Sequence, residues 1–334
     1  MAKYPKVNYI GNKEKLVNWI IDEMPVKEGV VLDMFAGGCS VSYALKEAGY
    51  SVISNDILYA DYVIAKALIE NNNKTLPLAV FNKKYENTRV KELEAKFAFL
   101  SDSLYYPEEV KELSKLVAIS EKLNGAEKYM MLSLIRRAMI RKLPYSRMNV
   151  PWDQIQKLRD EDYSYKKYKR KRAYHNQTFE SHMRENIDAY NNAVFEGKQC
   201  KVYNCDAFEM VKKIESVDVV YMDPPYPSTM NNYDAFYGLY DKMFDKKKEH
   251  VDYTKKVSFL ENIERLIKML TGKTKYIVLS QNTRVKPEPN EIKMMLSQFG
   301  KVIVKEKEHN YQVTGKDNKK SSKELLFILE MEEK

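Results

Sequence analysis

The sequence predicts an open α/β sheet, interrupted by a mostly helical, basic insertion and closed by a C-terminal antiparallel hairpin. Three observations predict it. Residues 30–49, VVLDMFAGGCSVSYALKEAG, read as strand, tight turn and helix, with a second short strand in SVISND. The short-strand pattern returns late, in QCKVYNCDAF, DVVYMDPPY and KYIVLSQN. Between the two stretches, from about residue 72 to 198, long charged helical patterns replace it. The domain reading is a catalytic domain in two parts, 1–71 and 199–334, around an insertion at 72–198.

Each element has a local reason. Residues 13–24 carry Leu16, Trp19, Ile20 and Met24 at helical spacing and stop near Pro25. Gly49 ends the helix after FAGG, the strand at 51–55 ends at Asp56, and a helix follows at 59–70. Strand, crossover helix, strand is how a parallel sheet begins. In the insertion, helical patterns run over 83–100, 107–123 and 126–142. PYSRMNVPW and a basic, Tyr-rich stretch follow, and amphipathic spacing resumes at 179–195. A helix is expected at 257–270, and VIVKEKEHNYQV with SSKELLFILEM forms the hairpin around GKDNKKSS.

With 334 residues, 44% hydrophobic and 31% charged, the chain is globular and long enough for one large domain or two. No apolar run approaches the ~20 residues of a membrane span. MAKYPKVNYIGNK has no apolar signal core, and Cys39, Cys200 and Cys205 make no disulfide framework, so a reducing cytoplasm is expected. With four scattered histidines, no metal is expected. The net charge is +9, and residues 136–172 alone hold thirteen Lys/Arg against four Asp/Glu. Lys301 to Lys323 hold seven lysines against three acids. Two such clusters interleaved with Tyr suit a polyanion, although either alone reads better as a solvated face.

Two motifs carry chemistry. In FAGG, Gly37 and Gly38 lack the Cβ that would obstruct a ligand. Asp56, nineteen residues after Gly37, suits a carboxylate accepting from ribose hydroxyls. Taken alone, this pattern also fits a nicotinamide cofactor or a plain tight turn, though the full G-x-G-x-x-G is absent. In VVYMDPPYPS, Val219 to Met222 form a buried strand that Pro224 and Pro225 stop, because neither has an N–H for a ladder. Asp223 and Tyr226 are thereby fixed at the carboxyl end, where open α/β sheets bind ligands.

Together, DMFAGGCS, Asp56, NCDAF, DPPY and LSQN resemble the Dam-like D12 class of DNA adenine-N6 methyltransferases. YIGNKEKL matches how that family begins, and KEHNYQV with KELLFIL how it ends. The resemblance covers residues 3–330 apart from the insertion, in the motif order of the alpha group. It implies a Rossmann-like methyltransferase sheet and S-adenosylmethionine as cofactor. Tyr9 and Lys13 would touch it, the lysine near its carboxylate, and Phe35, Gly37, Gly38 and Ser40 would wrap its methionine part. Asp56 would hold the ribose, and Asp206 and Phe208 would meet the adenine end by hydrogen bond and stacking. Where the family has a further glycine this chain has Cys39, so the turn must tolerate a Cβ.

DPPY then suits methylation of an exocyclic amino group, a poor nucleophile whose lone pair is delocalised into the ring. Asp223 and the Pro224 carbonyl would each accept one N–H, freeing the lone pair, with Pro225 stiffening the segment. Tyr226 would stack on the base, and Asp223 would also reach the cofactor. The adenine must be flipped from duplex DNA, which requires a grip on the backbone. Arg136, Arg137, Arg141, Arg147, Lys169, Arg170, Lys171 and Arg172 are candidates for it, a few of them for base edges. Lys319 and Lys320 in GKDNKKSS would form a second clamp. A monomer is expected, with a cognate restriction endonuclease as a potential partner. Alternatives are a cytosine-N4 enzyme, whose motif more often starts with Ser, and an RNA adenine methyltransferase, with Asn there. Further off lie a nonenzymatic DNA-recognition subunit and a nicotinamide oxidoreductase.

Overall fold

The computed structural model describes residues 2–227, 232–309 and 322–332. Helix α1 (Val17–Asp22) buries Trp19 and Ile20. Strand β1 (Val30–Asp33), helix α2 (Ser40–Glu47) and strand β2 (Ser51–Asn55) form the first crossover, paired in parallel from Val30↔Ser51 to Asp33↔Ser54. Helix α3 (Tyr59–Ala65) continues as a π-helix over Lys66–Glu70. A helical stretch follows: α4 (Asn87–Lys96), α5 (Pro107–Glu121), α6 (Gly125–Arg141), α7 (Trp152–Arg159), α8 (Glu161–Tyr168), α9 (Phe179–Arg184) and α10 (Ile187–Asn191). The sheet then resumes with β3 (Lys201–Tyr203), α11 (Ala207–Lys213), β4 (Val217–Met222), α12 (Tyr233–Met243), α13 (Phe259–Leu270) and β5 (Thr274–Asn282). Helix α14 (Pro289–Leu296) and the hairpin of β6 (Gly300–Glu308) and β7 (Lys323–Met331) complete it.

The chain divides into two compact units. One comprises Lys13–Ile57, Gly197–Tyr233 and Lys248–Lys334 and carries all seven strands found among the described residues. Their order is β3-β2-β1-β4-β5-β7-β6, parallel except for β7, which runs against both β5 and β6. The order reverses between β1 and β4, the switch point at which such sheets open a crevice beyond their carboxyl ends. Leu32, Val220, Met222, Ile277 and Leu279 pack with Phe259, Ile263, Leu266 and Ile267 of α13 in one cluster. Strands buried on both faces read as continuous apolar runs, which is why VVYM and YIVL were legible. Edge strand β6 carries Lys301, Lys305 and Lys307, charges that discourage further pairing.

The second unit, Met1–Asn12, Leu58–Glu196 and Asp234–Lys247, is helical. Its longest segment starts at Leu58, where α3 packs on α6, and the unit takes in α12, which the sequence pattern did not announce. Its interior is pinned by charge. Arg159 of α7 donates through Nη1 (2.8 Å) and Nη2 (2.5 Å) to Glu109 of α5, and Lys142 Nζ lies 2.7 Å from the same carboxylate. The two cations hold Glu109 below the usual glutamate range despite burial. The single helix expected at 179–195 is two short ones, α9 and α10, broken at Asn186, whose side chain donates back to the His182 carbonyl.

Candidate active site

The site is built on the carboxyl edge of the sheet unit. After β1 the Met34 N–H donates to the Tyr221 carbonyl (3.0 Å) and the Ala36 N–H to the Asn55 carbonyl (2.9 Å), so the glycine turn is tied to both flanking strands. Gly37 has φ 48° and Cys39 φ 65°. A left-handed conformation at a residue with a Cβ costs roughly 1–2 kcal/mol. The Cys39 side chain is fully buried and its thiol lies 3.4 Å from the Gly37 carbonyl, so the turn accommodates the Cβ.

Acids gather at this edge. Asp56, after β2, accepts from the Gly37 N–H (2.8 Å), joining the ends of two strands. Asp33, the last residue of β1, is 1% exposed and accepts from Ser42 Oγ (2.6 Å). Its other oxygen, Oδ1, is buried with no hydrogen-bond partner among the described residues. Burial pushes Asp33 up to about 7; the Ser42 bond opposes the shift, and the nearby charges of Asp223 and Asp56 add to it. Asn55 ties the edge together, its amide donating to the Met34 (3.2 Å) and Cys205 (3.0 Å) carbonyls.

Beyond β4, Asp223 stands where the two prolines stop the strand. Burial lifts it to about 6, Lys13 opposing the shift and Glu324 reinforcing it. Lys13 Nζ lies 3.0 Å from Asp223 Oδ2 and 3.0 Å from Glu324 Oε1. Sequence reasoning missed Glu324 and Asp33. Their signals were an acid at the start of the apolar run ELLFIL and an acid ending β1 as Asp56 follows β2. A charge inside an apolar strand is tolerated only with partners, and that made Glu324 findable.

The predicted cofactor residues fall in both units. Phe35, Gly37, Gly38, Ser40, Asp56, Asp206, Phe208, Lys13 and Asp223 share the sheet unit. Tyr9 belongs to the helical unit, its ring stacked on Tyr237 at 5.1 Å. Asp206 caps α11, accepting from the Phe208 N–H (2.8 Å), and its second oxygen accepts from the Val251 N–H (3.0 Å). The Arg265 guanidinium lies 4.9 Å from the Phe208 ring centre.

Tyr226 requires a correction: it is turned into the core. It is 5% exposed, its ring packs on Phe259 (5.0 Å) and its hydroxyl donates to the Ser280 carbonyl. No stacking face is presented in this conformation.

The basic residues separate by burial. Arg136 is 1% exposed, donates to the Val7 carbonyl (2.6 Å) and lies 3.5 Å from Asp61. Arg137 is buried with its Nε on the Lys6 carbonyl (2.5 Å). Arg172 is buried beside the Tyr168 ring. These three are corrected to internal residues, since a buried guanidinium cannot meet a phosphate. Arg141 is half-buried over Tyr174 (3.9 Å), and Arg147 lies 5.6 Å from the rings of Tyr145 and Phe236. Lys169, Arg170 and Lys171 are exposed after α8. Lys319 and Lys320 lie outside the described residues.

A carboxylate on a proline-stopped strand thus stands beside a glycine turn at the switch point of the sheet. The model of the D12 class N6 adenine-specific DNA methyltransferases matches residues 9–294. The chain belongs to that family. It is 46% identical over 338 residues to the Type II methyltransferase M2.HphI of Haemophilus parahaemolyticus, covering 98% of each chain. It is 26% identical over 363 residues to the modification methylase StsI of Streptococcus sanguinis, covering 97% of this chain and 52% of that one. This family member is thus an enzyme acting on adenine in DNA. Among its described residues no helix is long and apolar enough to cross a membrane, and no group of three or more His, Cys, Asp or Glu is arranged to hold a metal.

Proposed function

We propose that the chain transfers the methyl group of S-adenosylmethionine to N6 of an adenine flipped from duplex DNA, with Asp223 as the acceptor that prepares the amino group. One observation carries this: the carboxyl edge gathers Asp33, Asp56, Asp206, Asp223 and Glu324 with Lys13 as the cation among them. A dinucleotide pyrophosphate would be repelled by that set, whereas a cofactor bearing an ammonium and a sulfonium is attracted. The buried, unpartnered Oδ1 of Asp33 fits a donor of that kind. When bound, the cofactor supplies an electrophilic methyl group on positively charged sulfur.

The protein's own part follows from geometry. Gly37 and Gly38 permit close approach, Phe35 and Ser40 flank them, and Asp56 offers carboxylate acceptors to ribose hydroxyls while it holds the Gly37 N–H. Asp206 and Phe208 border the adenine end. Asp223 accepts one amino N–H and the Pro224 carbonyl the other, which localises the lone pair on nitrogen. As the N–C bond formed, the bond from that methyl carbon to sulfur would break with its electron pair left on sulfur, and the nitrogen would shed a proton. An Asp223 carboxylate poised at about 6 can take it and release it again near neutrality. Tyr226 reaches the base only after its ring leaves Phe259 and its hydroxyl leaves the Ser280 carbonyl.

Lys169, Arg170 and Lys171, with Arg141 and Arg147, are the phosphate-binding cations of this reading. The names of the two relatives support a role in protecting DNA against a restriction endonuclease of the same specificity. Calorimetry and product digestion test the whole. S-adenosylmethionine or its demethylated product should bind, Asp56→Ala should weaken that binding, and nucleosides from treated DNA should contain N6-methyladenine. Preferential NAD binding, or N4-methylcytosine as product, would overturn it.

A further inference from the structure

Glu324 is fully buried at the start of β7, opposite Asn282 of β5. Its Oε1 accepts from Ser280 Oγ (2.9 Å) and meets Lys13 Nζ (3.0 Å); its Oε2 accepts from the Asn282 amide (3.4 Å). The same ammonium meets Asp223 Oδ2 at 3.0 Å. One cation therefore serves two carboxylates, and the side chain of Asp223 is the more exposed of the three, at 22% against 11% for Lys13 and 0% for Glu324.

Geometry also separates the roles. Glu324 is held by one hydroxyl and one amide donor from the paired strand β5, which orient its carboxylate. Lys13 is a flexible chain carrying a point charge, and its contact with the Glu324 carboxylate restricts where that charge sits. Asp223 has only one oxygen, Oδ2, on the ammonium.

We propose that Glu324 is a positioning residue for methyl transfer: it anchors Lys13 against Oδ2 of Asp223, which turns Oδ1 toward the adenine amino group. The proposal rests on the role assigned to Asp223 above. It also gives the C-terminal hairpin a task in catalysis, since β7 carries the anchor across from β5.

A double-mutant cycle tests it, using the full chain, duplex substrate and single-turnover rates, with each variant's melting temperature and cofactor affinity measured alongside. Glu324→Gln should slow the transfer step by about 2- to 150-fold, the range of contacting residues that act together, while the KM for DNA stays near wild type. In a Lys13→Met background the same substitution should cause no further loss, because the anchor has nothing left to hold. Glu324→Asp keeps the charge and should recover part of the rate, and it takes over the single-variant measurement if Glu324→Gln does not fold. Equal fractional losses in both backgrounds, or a loss that tracks melting temperature alone, would overturn the proposal. Asp223→Asn separates the two readings. Wild-type rates there remove the role of Asp223 itself, whereas an inactive Asp223→Asn with an additive cycle removes only the role of Glu324.

Discussion

Asp223 and Asp33 are two carboxyls on neighbouring strands whose surroundings leave them with different duties. Asp223, lifted to about 6, must be ionised to accept an amino hydrogen, so kcat/KM should fall as the pH drops below about 6. Asp223→Ala should cost ~10²–10³ in rate, the usual loss on removing one preorganised group. Persistence of the acidic limb in the residual activity of that variant would assign the limb to another group. Asp33 acts on stability. Its folded pKa is raised to about 7 from 3.8, so between those values the folded chain holds a proton that the unfolded chain has released. Stability from this group is therefore greatest at low pH and declines as the pH rises toward 7. Asp33→Asn cannot titrate. Urea unfolding should show the variant gaining about 2.7 kcal/mol on wild type between pH 5 and pH 7, at about 1.36 kcal/mol per pH unit, and little more above pH 7. A constant difference across that range would contradict the burial argument.

At the level of single elements, the helical unit depends on the carboxylate of Glu109, where α5 meets Arg159 of α7 and Lys142 at the end of α6. Glu109→Gln would leave two buried cations without their counter-ion, a loss of about 3–5 kcal/mol. Hydrogen exchange should then quicken in α5, α6 and α7 together, and unchanged protection would show the cluster to be dispensable. The turn between β1 and α2 is the other strained element. Its left-handed Cys39 is fully buried, with the thiol on the Gly37 carbonyl, and burial of that side chain offsets the strain.

Across the molecule, the net charge of +9 is concentrated in one stretch, and structure divides that stretch into internal and external charge. Only the external part can release counterions on binding DNA. Reversing Lys169, Arg170 and Lys171 together should lower the slope of log affinity against log salt by about 0.9 for each phosphate no longer neutralised. Cofactor affinity should be untouched. Arg172, buried beside Tyr168, is left out because its reversal would test folding instead. An unchanged slope would reduce the cluster to a solvated face.

The parallel strands, their interruption, the hairpin and the proline-stopped end at Asp223 could all be read from the order of residues. They follow from short-range rules: apolar runs make buried strands, glycine permits a left-handed turn, and proline ends a ladder. Which charges face outward, and which partners share the site, emerged only once the chain was folded. Arg136 reads as a surface cation until it is bonded to Val7, 129 residues away, and Tyr226 as a free ring until Phe259 and Ser280 claim it. Lys13 and Glu324 lie near opposite ends of the chain, and only the pairing of β7 with β5 brings the anchor to the lysine. Burial and ion pairing are properties of what surrounds a residue, and for these side chains the surroundings come from far along the chain.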